Sequence, residues 1–562
     1  MAWPNLTVSG SYTKHKNRTL QLEKSIYKKI GLAPAILSGL LLGISFPSYP
    51  GIHLELLAWF GLVPLLLQLK ELHSFREAFR QAYISMFLFV LASVWWISLS
   101  TVFGAVLTYF AQTFFMTVPV LVFFFLKERL GWKTALWALP FIWTAWEWLY
   151  LDMDISFGWL TLGNSQANLF WLVQYVDLFG TWAISFWLIL FNVLLVMALE
   201  KWESDWKSAG FLKDAAKIGG AMLLLPLVYS AAIFLQADEN SAERKVRVSI
   251  IQPNIDPFAK WETMTRHEIL TRHLEMSDSV VAEQKPDMLV WPETTIPYFI
   301  LLPNATRYRE KLFSAVKKWS TPVLTGFSDA VFYADSTLRK PGAKYDRRKK
   351  QYYDTFNSAM LVRPDTNWPE VFHKIQLVPF AERVPYMEYV PFLSFATVEL
   401  AGISSWGQGD EMKVFSFQTS AGDSVRVSCL ICYESIYPGF TAEYAARGAE
   451  FLTVITNDGW FSKSYGPYQH AAFARLRSIE TRRAMARCAN TGISFFIDKY
   501  GRTYGEIPWW EALSTTEPLA LSSEKSFYVR HIDLFPKLCS AMTILILTAA
   551  IGLPYWNRLG KK

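Results

Sequence analysis

The sequence predicts a polytopic α-helical membrane bundle of eight transmembrane helices, with an α/β domain carried between the seventh and the eighth. Two observations predict it. Hydrophobic residues make up 52% of the chain but are unevenly spread. Long uncharged runs fill roughly the first 236 residues and recur near the end, as membrane helices require. Residues 245–530, in contrast, are normally charged, and short apolar runs alternate there with segments of helical spacing, which is the α/β pattern.

Composition narrows the classes. A chain of 562 residues with 24 Trp and 41 Phe is too long and apolar for one ordinary soluble domain. The formal charge of +7 does not require nucleic acid, because the basic residues cluster beside the apolar runs. Four cysteines are too few for a disulfide scaffold.

In order, residues 1–30 form a basic tail (Lys14, Lys16, Arg18, Lys24, Lys28, Lys29), too long and charged for a signal peptide. The bundle, 31–240, holds apolar runs near 31–47, 53–69, 80–103, 105–126, 134–150, 170–199 and 216–236. An eighth lies near 534–556, followed by a short tail, 557–562. Each suits a hydrocarbon core of about 30 Å, the first two by tilting or packing inside the bundle. Lys and Arg fall in alternate loops: Lys70, Arg76 and Arg80; Lys127, Arg129 and Lys133; Lys201, Lys207 and Lys213; and Arg558, Lys561 and Lys562. The loops around 48–52, 103–105 and 151–169 have none. Both termini are therefore expected in the cytoplasm and the α/β domain in the periplasm. Glu147, in W-E-W-L, is a carboxylate at or near membrane depth.

From Val246 the period changes. Strands are expected at 246–254, 288–291, 322–327, 356–362, 425–432, 451–456 and 493–497, with helices over 261–274 and 468–487. Three stretches carry chemistry. V-S-C-L-I-C-Y-E-S-I-Y-P holds Cys432 at the end of a buried strand, where a nucleophile is both rigid and reachable. M-L-V-W-P-E-T-T-I-P delivers Glu293, and H-K-I-Q-L-V-P-F-A-E-R-V-P delivers Lys374 and then Glu382. A thiol, a carboxylate and an amine at strand ends make a nucleophile, a base and an electrophilic stabiliser. Cys429 forms C-x-x-C with Cys432, but positions three apart on a strand face opposite ways, so Cys429 reads as core, as does Cys488. Cys539 falls in the last membrane helix. No cluster with zinc-ligand spacing accompanies any of the cysteines, the eight His are scattered, and no metal or cofactor is expected.

The order Glu293, Lys374, Cys432 resembles the nitrilase (carbon–nitrogen hydrolase) superfamily. The longer match through N-D-G-W-F (457–461), G-P-Y-Q-H (466–470) and A-N-T-G (489–492) resembles the apolipoprotein N-acyltransferase family. That resemblance implies an αββα sandwich. It implies supporting roles for Glu382 and Glu434, and substrate-side positions for Tyr433 and Trp261. It also implies a monomeric bacterial inner-membrane enzyme. A phospholipid acyl chain would pass to the Cys432 thiol, then to the α-amine of a diacylglyceryl-cysteine on an apolipoprotein. The chain departs from the family pattern at Tyr150, where an Arg is usual, at Gly158, where Pro is usual, and at Ala381, where Gly is usual. A membrane-tethered amidase and a transporter with an inactive outer domain compete. One helix would suffice for tethering, and no matched pair of interrupted helices points to transport. The basic insertion 338–350 reads as a solvated loop, with contact to anionic headgroups as the alternative. The apolar segment 386–406 reads as a core cap or as a lid on the outer leaflet.

Overall fold

The computed structural model describes residues 31–204, 210–237, 244–257, 260, 263–340, 342–386, 389 and 406–559. Trp261, the tail 1–30, and 387–388 and 390–405 of the expected lid lie outside them.

The first half is helical: α1 (Ala33–Ile44), α2 (Val63–Glu71), α3 (Phe75–Val94), α4 (Val102–Leu130), α5 (Trp132–Leu151), α6 (Trp182–Ser204) and α7 (Gly210–Ala237). The helix Leu534–Leu559 returns to pack on α5. Among the described residues, five helices are long and apolar enough to cross a membrane: Phe75–Leu99, Val102–Leu130, Trp182–Lys201, Gly219–Gln236 and Leu534–Gly552. α1 is shorter, and it crosses α3 closely because Gly39 and Gly43 leave room. A Cβ at Gly39 would stand 2.3 Å from the Ser85 carbonyl oxygen, and one at Gly43 2.5 Å from the Ala92 Cβ.

Two of the expected apolar runs are not single helices. The run at 53–69 divides into a 3₁₀ turn, Glu55–Trp59, and α2. The run at 170–199 holds one helical turn, Val176–Phe179, and becomes a continuous helix only at Trp182. Before it, residues 158–181 form a largely buried segment of short turns, many of whose polar groups find partners in the fold, as burial demands. Gln166 accepts the Trp59 indole N–H at 3.0 Å, and Glu147 accepts the Leu162 N–H at 2.7 Å and the Trp143 indole N–H at 2.9 Å.

The α/β part begins with β1 (Lys245–Gln252), then α8 (Arg266–Gln284), β2 (Met288–Val290), α9 (Thr306–Trp319), β3 (Val323–Phe332), β4 (Lys344–Asp346), β5 (Gln351–Val362) and β6 (Glu370–His373). Thr265 and Glu268 close a reciprocal cap on α8. It continues through β7 (Val414–Gln418), β8 (Ser424–Ser428), β9 (Leu430–Ile431), α10 (Pro438–Ala446), β10 (Leu452–Thr456), α11 (Gly466–Thr481), β11 (Met485–Ala489), β12 (Ser494–Ile497), β13 (Thr503–Ile507) and β14 (Leu513–Ala520). One sheet has the order β14-β1-β2-β3-β5-β4 with β6 on β5; the other has β13-β12-β11-β10-β9. β1 packs on β11, and one apolar core, including Ile250, Leu324, Val454 and Phe496, fills the space between the sheets. α8 and α9 cover the first sheet, whereas α11 lies between the second sheet and the bundle.

Two expectations need correction. The strand expected over 425–432 is two strands: β8 pairs with β7 in a small separate sheet, and β9 pairs with β10. The chain changes sheet at Cys429, which apolarity alone does not reveal. The helix expected over 468–487 stops at Thr481, because Arg482 takes a left-handed backbone and residues 485–489 pair as β11.

α11 also fastens the two halves together. Arg477 and Glu480 form a fully buried pair at 2.8 Å, and Glu480 accepts the Thr181 N–H at 2.7 Å from the bundle side. Arg482 reaches Asp177 at 2.7 Å.

Candidate active site

β1, β2 and β3 run parallel in one sheet, and β9, β10 and β11 in the other. Open α/β sheets receive ligands beyond the C-terminal ends of such strands. Here β2 leads into Glu293, β6 into Lys374 and β9 into Cys432. The three line one cavity of about 160 Å³, walled on its far side by bundle residues Trp96, Thr101, Gly104, Thr108, Gln112 and Phe157.

Cys432 sits where β9 gives way to a 3₁₀ turn and then α10, with φ +52°, a left-handed backbone that a side chain rarely adopts. The surroundings hold it there. Ser435 Oγ donates to the Cys432 carbonyl at 2.8 Å, and His470 Nε2 lies 3.1 Å from the same oxygen. Glu434, wholly buried, accepts the N–H of Ile431 at 2.8 Å with one oxygen. Its other oxygen accepts Ile375 at 2.7 Å and Gln376 at 3.2 Å. One carboxylate thus straps the loop after Lys374 to the strand before Cys432.

Glu293 is fixed from behind. A Cβ on Gly326 would lie 2.7 Å from the Glu293 Cα, so β3 can approach this closely only with glycine there. The buried ammonium of Lys260 donates to the Thr294 carbonyl at 2.9 Å. Burial lowers the Lys260 pKa to about 8, against the pull of Glu293.

The charges then assemble. Lys374 Nζ lies 2.9 Å from Glu382 Oε1 and 3.7 Å from Glu293 Oε1. Asn357 Nδ2 donates to both carboxylates, at 2.8 Å to Glu293 and 3.1 Å to Glu382. Glu382 Oε2 accepts the Val378 N–H at 2.8 Å. Burial alone would lower the Lys374 pKa, but the charges of Glu382 and Glu293 outweigh it and raise it, so the amine stays an ammonium. Burial and the Glu293 carboxylate push the Cys432 thiol up, against the opposing effect of Lys374. The resting sulfur is therefore protonated, and a thiol in that state would need a neighbouring base to act as a nucleophile.

Tyr433 is buried, stacks on Phe157 of the bundle at 6.1 Å between ring centroids, and donates to the Ser156 carbonyl at 3.3 Å. It lines the cavity. Trp261 is outside the described residues. Cys429 and Cys488 are wholly buried in the core between the sheets. Tyr150, at one departure from the family pattern, is buried and donates to Gln112 of the cavity wall. Among the described residues, no three His, Cys, Asp or Glu gather as a metal-ligand set.

Sequence reasoning did not single out Asn357, Lys260 or a buried cluster behind Cys432. In that cluster Asp458 lies 2.9 Å from Arg487 and 3.0 Å from His470. Burial would raise the Asp458 pKa, but Arg487 and His470 reverse it and hold the carboxylate ionised. A signal existed for each: a lone Asn in an apolar strand, a Lys preceding a helix signal, and the polar motifs 457–461 and 466–470, quoted without roles.

Comparison with known proteins gives two family matches. Residues 38–194 match the model described as apolipoprotein N-acyltransferase N-terminal domain, and 247–521 match carbon–nitrogen hydrolase. An apolipoprotein N-acyltransferase of Chlorobaculum tepidum is 45% identical over 92% of this chain and 96% of its own. Another, of Geobacter metallireducens, is 28% identical over 92% and 94%. Among solved structures, an amidase from Nesterenkonia sp. aligns at 15% identity with a TM-score of 0.36, covering 52% of this chain and 96% of its own.

Proposed function

Because the chain belongs to the apolipoprotein N-acyltransferase family, we propose that its cavity carries out that family's acyl transfer through a thioester on Cys432. Glu293 takes the thiol proton as sulfur attacks the ester carbonyl of a membrane phospholipid. Lys374, buried and held as an ammonium by its carboxylate neighbours, stabilises the oxyanion. Collapse expels the lyso-phospholipid, with Glu293 returning the proton to its oxygen. The α-amine of a diacylglyceryl-cysteine on an apolipoprotein then attacks the thioester. Glu293 takes up the amine's proton and returns it to the departing thiolate, leaving an amide. Glu382 keeps Lys374 in place, Glu434 keeps the Lys374 and Cys432 loops in register, and Tyr433, which lines the cavity, faces the substrate; Trp261, expected to contact substrate too, lies outside the described residues. No cofactor enters the reaction.

The observation carrying this reading is that the cavity holding Glu293, Lys374 and Cys432 has the membrane bundle as its opposite wall. A site for soluble amides has no use for such a wall, whereas a lipid chain needs one. The accompanying architecture is a bundle (31–240) crossing the bacterial inner membrane eight times with the helix at 534–556, both termini cytoplasmic. The α/β domain (245–530) is then periplasmic, and the protein acts as a monomer. The test is to supply the purified protein with acyl-labelled phospholipid and a diacylated lipopeptide. Label should appear in amide linkage on the lipopeptide, and Glu293→Gln or Lys374→Met should abolish it. Release of free fatty acid, with the lipopeptide unlabelled, would overturn the reading.

A further inference from the structure

The acyl-transfer chemistry makes no use of the basic run at 338–350, yet its place in the fold is specific. β2 pairs with β3 only as far as Val290, level with Leu324, and then delivers Glu293 to the cavity. β3 runs parallel to β2 but continues to Phe332, paired throughout with β5. Phe327, bridged to Ile296, marks the level of the site. From there β3 runs about 17 Å further, at roughly 3.3 Å per residue. The direction of that overhang is toward the bundle, because the C-terminal ends of the parallel strands face a cavity whose far wall is the bundle. The cavity also lies at the level where the bundle ends, since Thr101, in its wall, is the residue that caps the start of α4. The hairpin, with residues 347–350 at its tip between β4 and β5, therefore lies on the side of the α/β domain that meets the bundle. Its root is anchored there: Lys340 pairs with Asp410 at 3.0 Å and donates to the Gln408 carbonyl at 3.0 Å. Gln408 shares a polar cavity with Asp152 and Asp154 of the bundle.

The chemistry of the hairpin suits a membrane surface. Residues 339–350 include seven Lys or Arg against one Asp. Arg347, Arg348, Lys349 and Lys350 are all exposed at the tip. Aromatic rings accompany them: Tyr345, half exposed, lies 4.9 Å from Tyr352, and the Lys349 ammonium sits 3.8 Å over the Phe332 ring. Aromatic rings beside snorkelling cations are what the membrane–water interface favours, and clustered Lys and Arg there are drawn to anionic headgroups.

We propose that the β4–β5 hairpin is a lipid-contact surface. It rests on the leaflet next to the cavity, with Arg347–Lys350 against the headgroups of anionic phospholipids and Tyr345 at interfacial depth. The inference rests on the chain being a membrane protein, not on the thioester chemistry, so failure of one leaves the other standing.

The test uses the full chain in nanodiscs of phosphatidylcholine alone or mixed with phosphatidylglycerol. A spin label is placed on Tyr345→Cys in a Cys432→Ala background; the remaining cysteines, Cys429, Cys488 and Cys539, are buried. With phosphatidylglycerol, collisions with lipid-dissolved oxygen should rise severalfold relative to collisions with a water-soluble nickel chelate. High salt should reduce that response, since it screens exposed charges. Replacing Arg347, Arg348, Lys349 and Lys350 together by Glu should abolish it, whereas Arg347→Lys with Arg348→Lys should keep it. A label equally open to nickel in both lipids would overturn the proposal, as would a response that survives the Glu replacements. A label that responds only when an acidic lipopeptide is added would also overturn it, assigning the surface to the acceptor.

Discussion

Gly326→Ala tests how the carboxylate of Glu293 is held. The added Cβ would stand 2.6 Å from the Thr294 nitrogen, 2.7 Å from the Glu293 Cα and 2.7 Å from the Pro292 oxygen, all of them backbone. Ordinary carbon contacts lie at about 3.5–4.0 Å, so relief requires the Glu293 segment and β3 to separate by about 1 Å. Overpacking of this kind costs about 1–3 kcal/mol of stability, which leaves the protein folded. The effect on chemistry is larger, because a displacement of about 1 Å at a reacting group costs on the order of a hundredfold in rate. The assay is the rate at which acyl adduct appears on the purified protein after mixing with phospholipid, alongside its thermal midpoint. Gly219→Ala is the control, since nothing lies within 4 Å of a Cβ there. A wild-type acylation rate in Gly326→Ala would refute the claim that this close approach positions Glu293.

Asn357→Leu removes the amide that donates to both Glu293 and Glu382. Acylation should fall at least about a hundredfold, read in the same single-turnover assay, with secondary structure unchanged by circular dichroism. Burial holds the Glu434 carboxyl up at about 7 against 4.5, despite the N–H bonds and the Lys374 charge that lower it. The folded chain therefore keeps a proton that the unfolded chain loses. The stability from this group is present below about pH 4.5 and is lost as pH rises through about 7. Glu434→Gln should flatten that part of the thermal midpoint's pH profile and slow acylation, since the amide N–H₂ would face the Ile431 N–H. Asp458→Asn leaves Arg487 buried without its carboxylate, and should cost about 3–5 kcal/mol, measured as a lower thermal midpoint in detergent.

Much of this architecture is legible in the sequence because its periods are strong. The uncharged runs that become α3, α4, α6, α7 and the last helix cannot be buried in a soluble domain of this size. The strands of the α/β part are short apolar runs closed by Pro, Gly or polar residues. Legibility fails where tertiary pairing decides. Residues 425–432 keep strand character throughout, alternating over Val425–Ser428 and apolar from Cys429, so only the pairing of β8 with β7 and of β9 with β10 shows the change of sheet. Residues 170–181 are apolar enough to read as part of a span, but Gln174 finds partners in the fold that no window of sequence displays. The same holds at the candidate site. Glu293, Lys374 and Cys432 announce themselves as polar groups at the ends of apolar runs. Asn357 and Lys260 act through the partners they meet in three dimensions, and glycine at 326 matters only because another segment's backbone crosses it.

The most direct test of the central claim is intact-mass analysis of the protein after incubation with phospholipid alone. One acyl group should be added per chain, removed by neutral hydroxylamine as a thioester should be. It should be absent in Cys432→Ala and retained in Cys429→Ala. An acyl group found on Cys429, or transfer to lipopeptide by Cys432→Ala with no adduct at all, would contradict it.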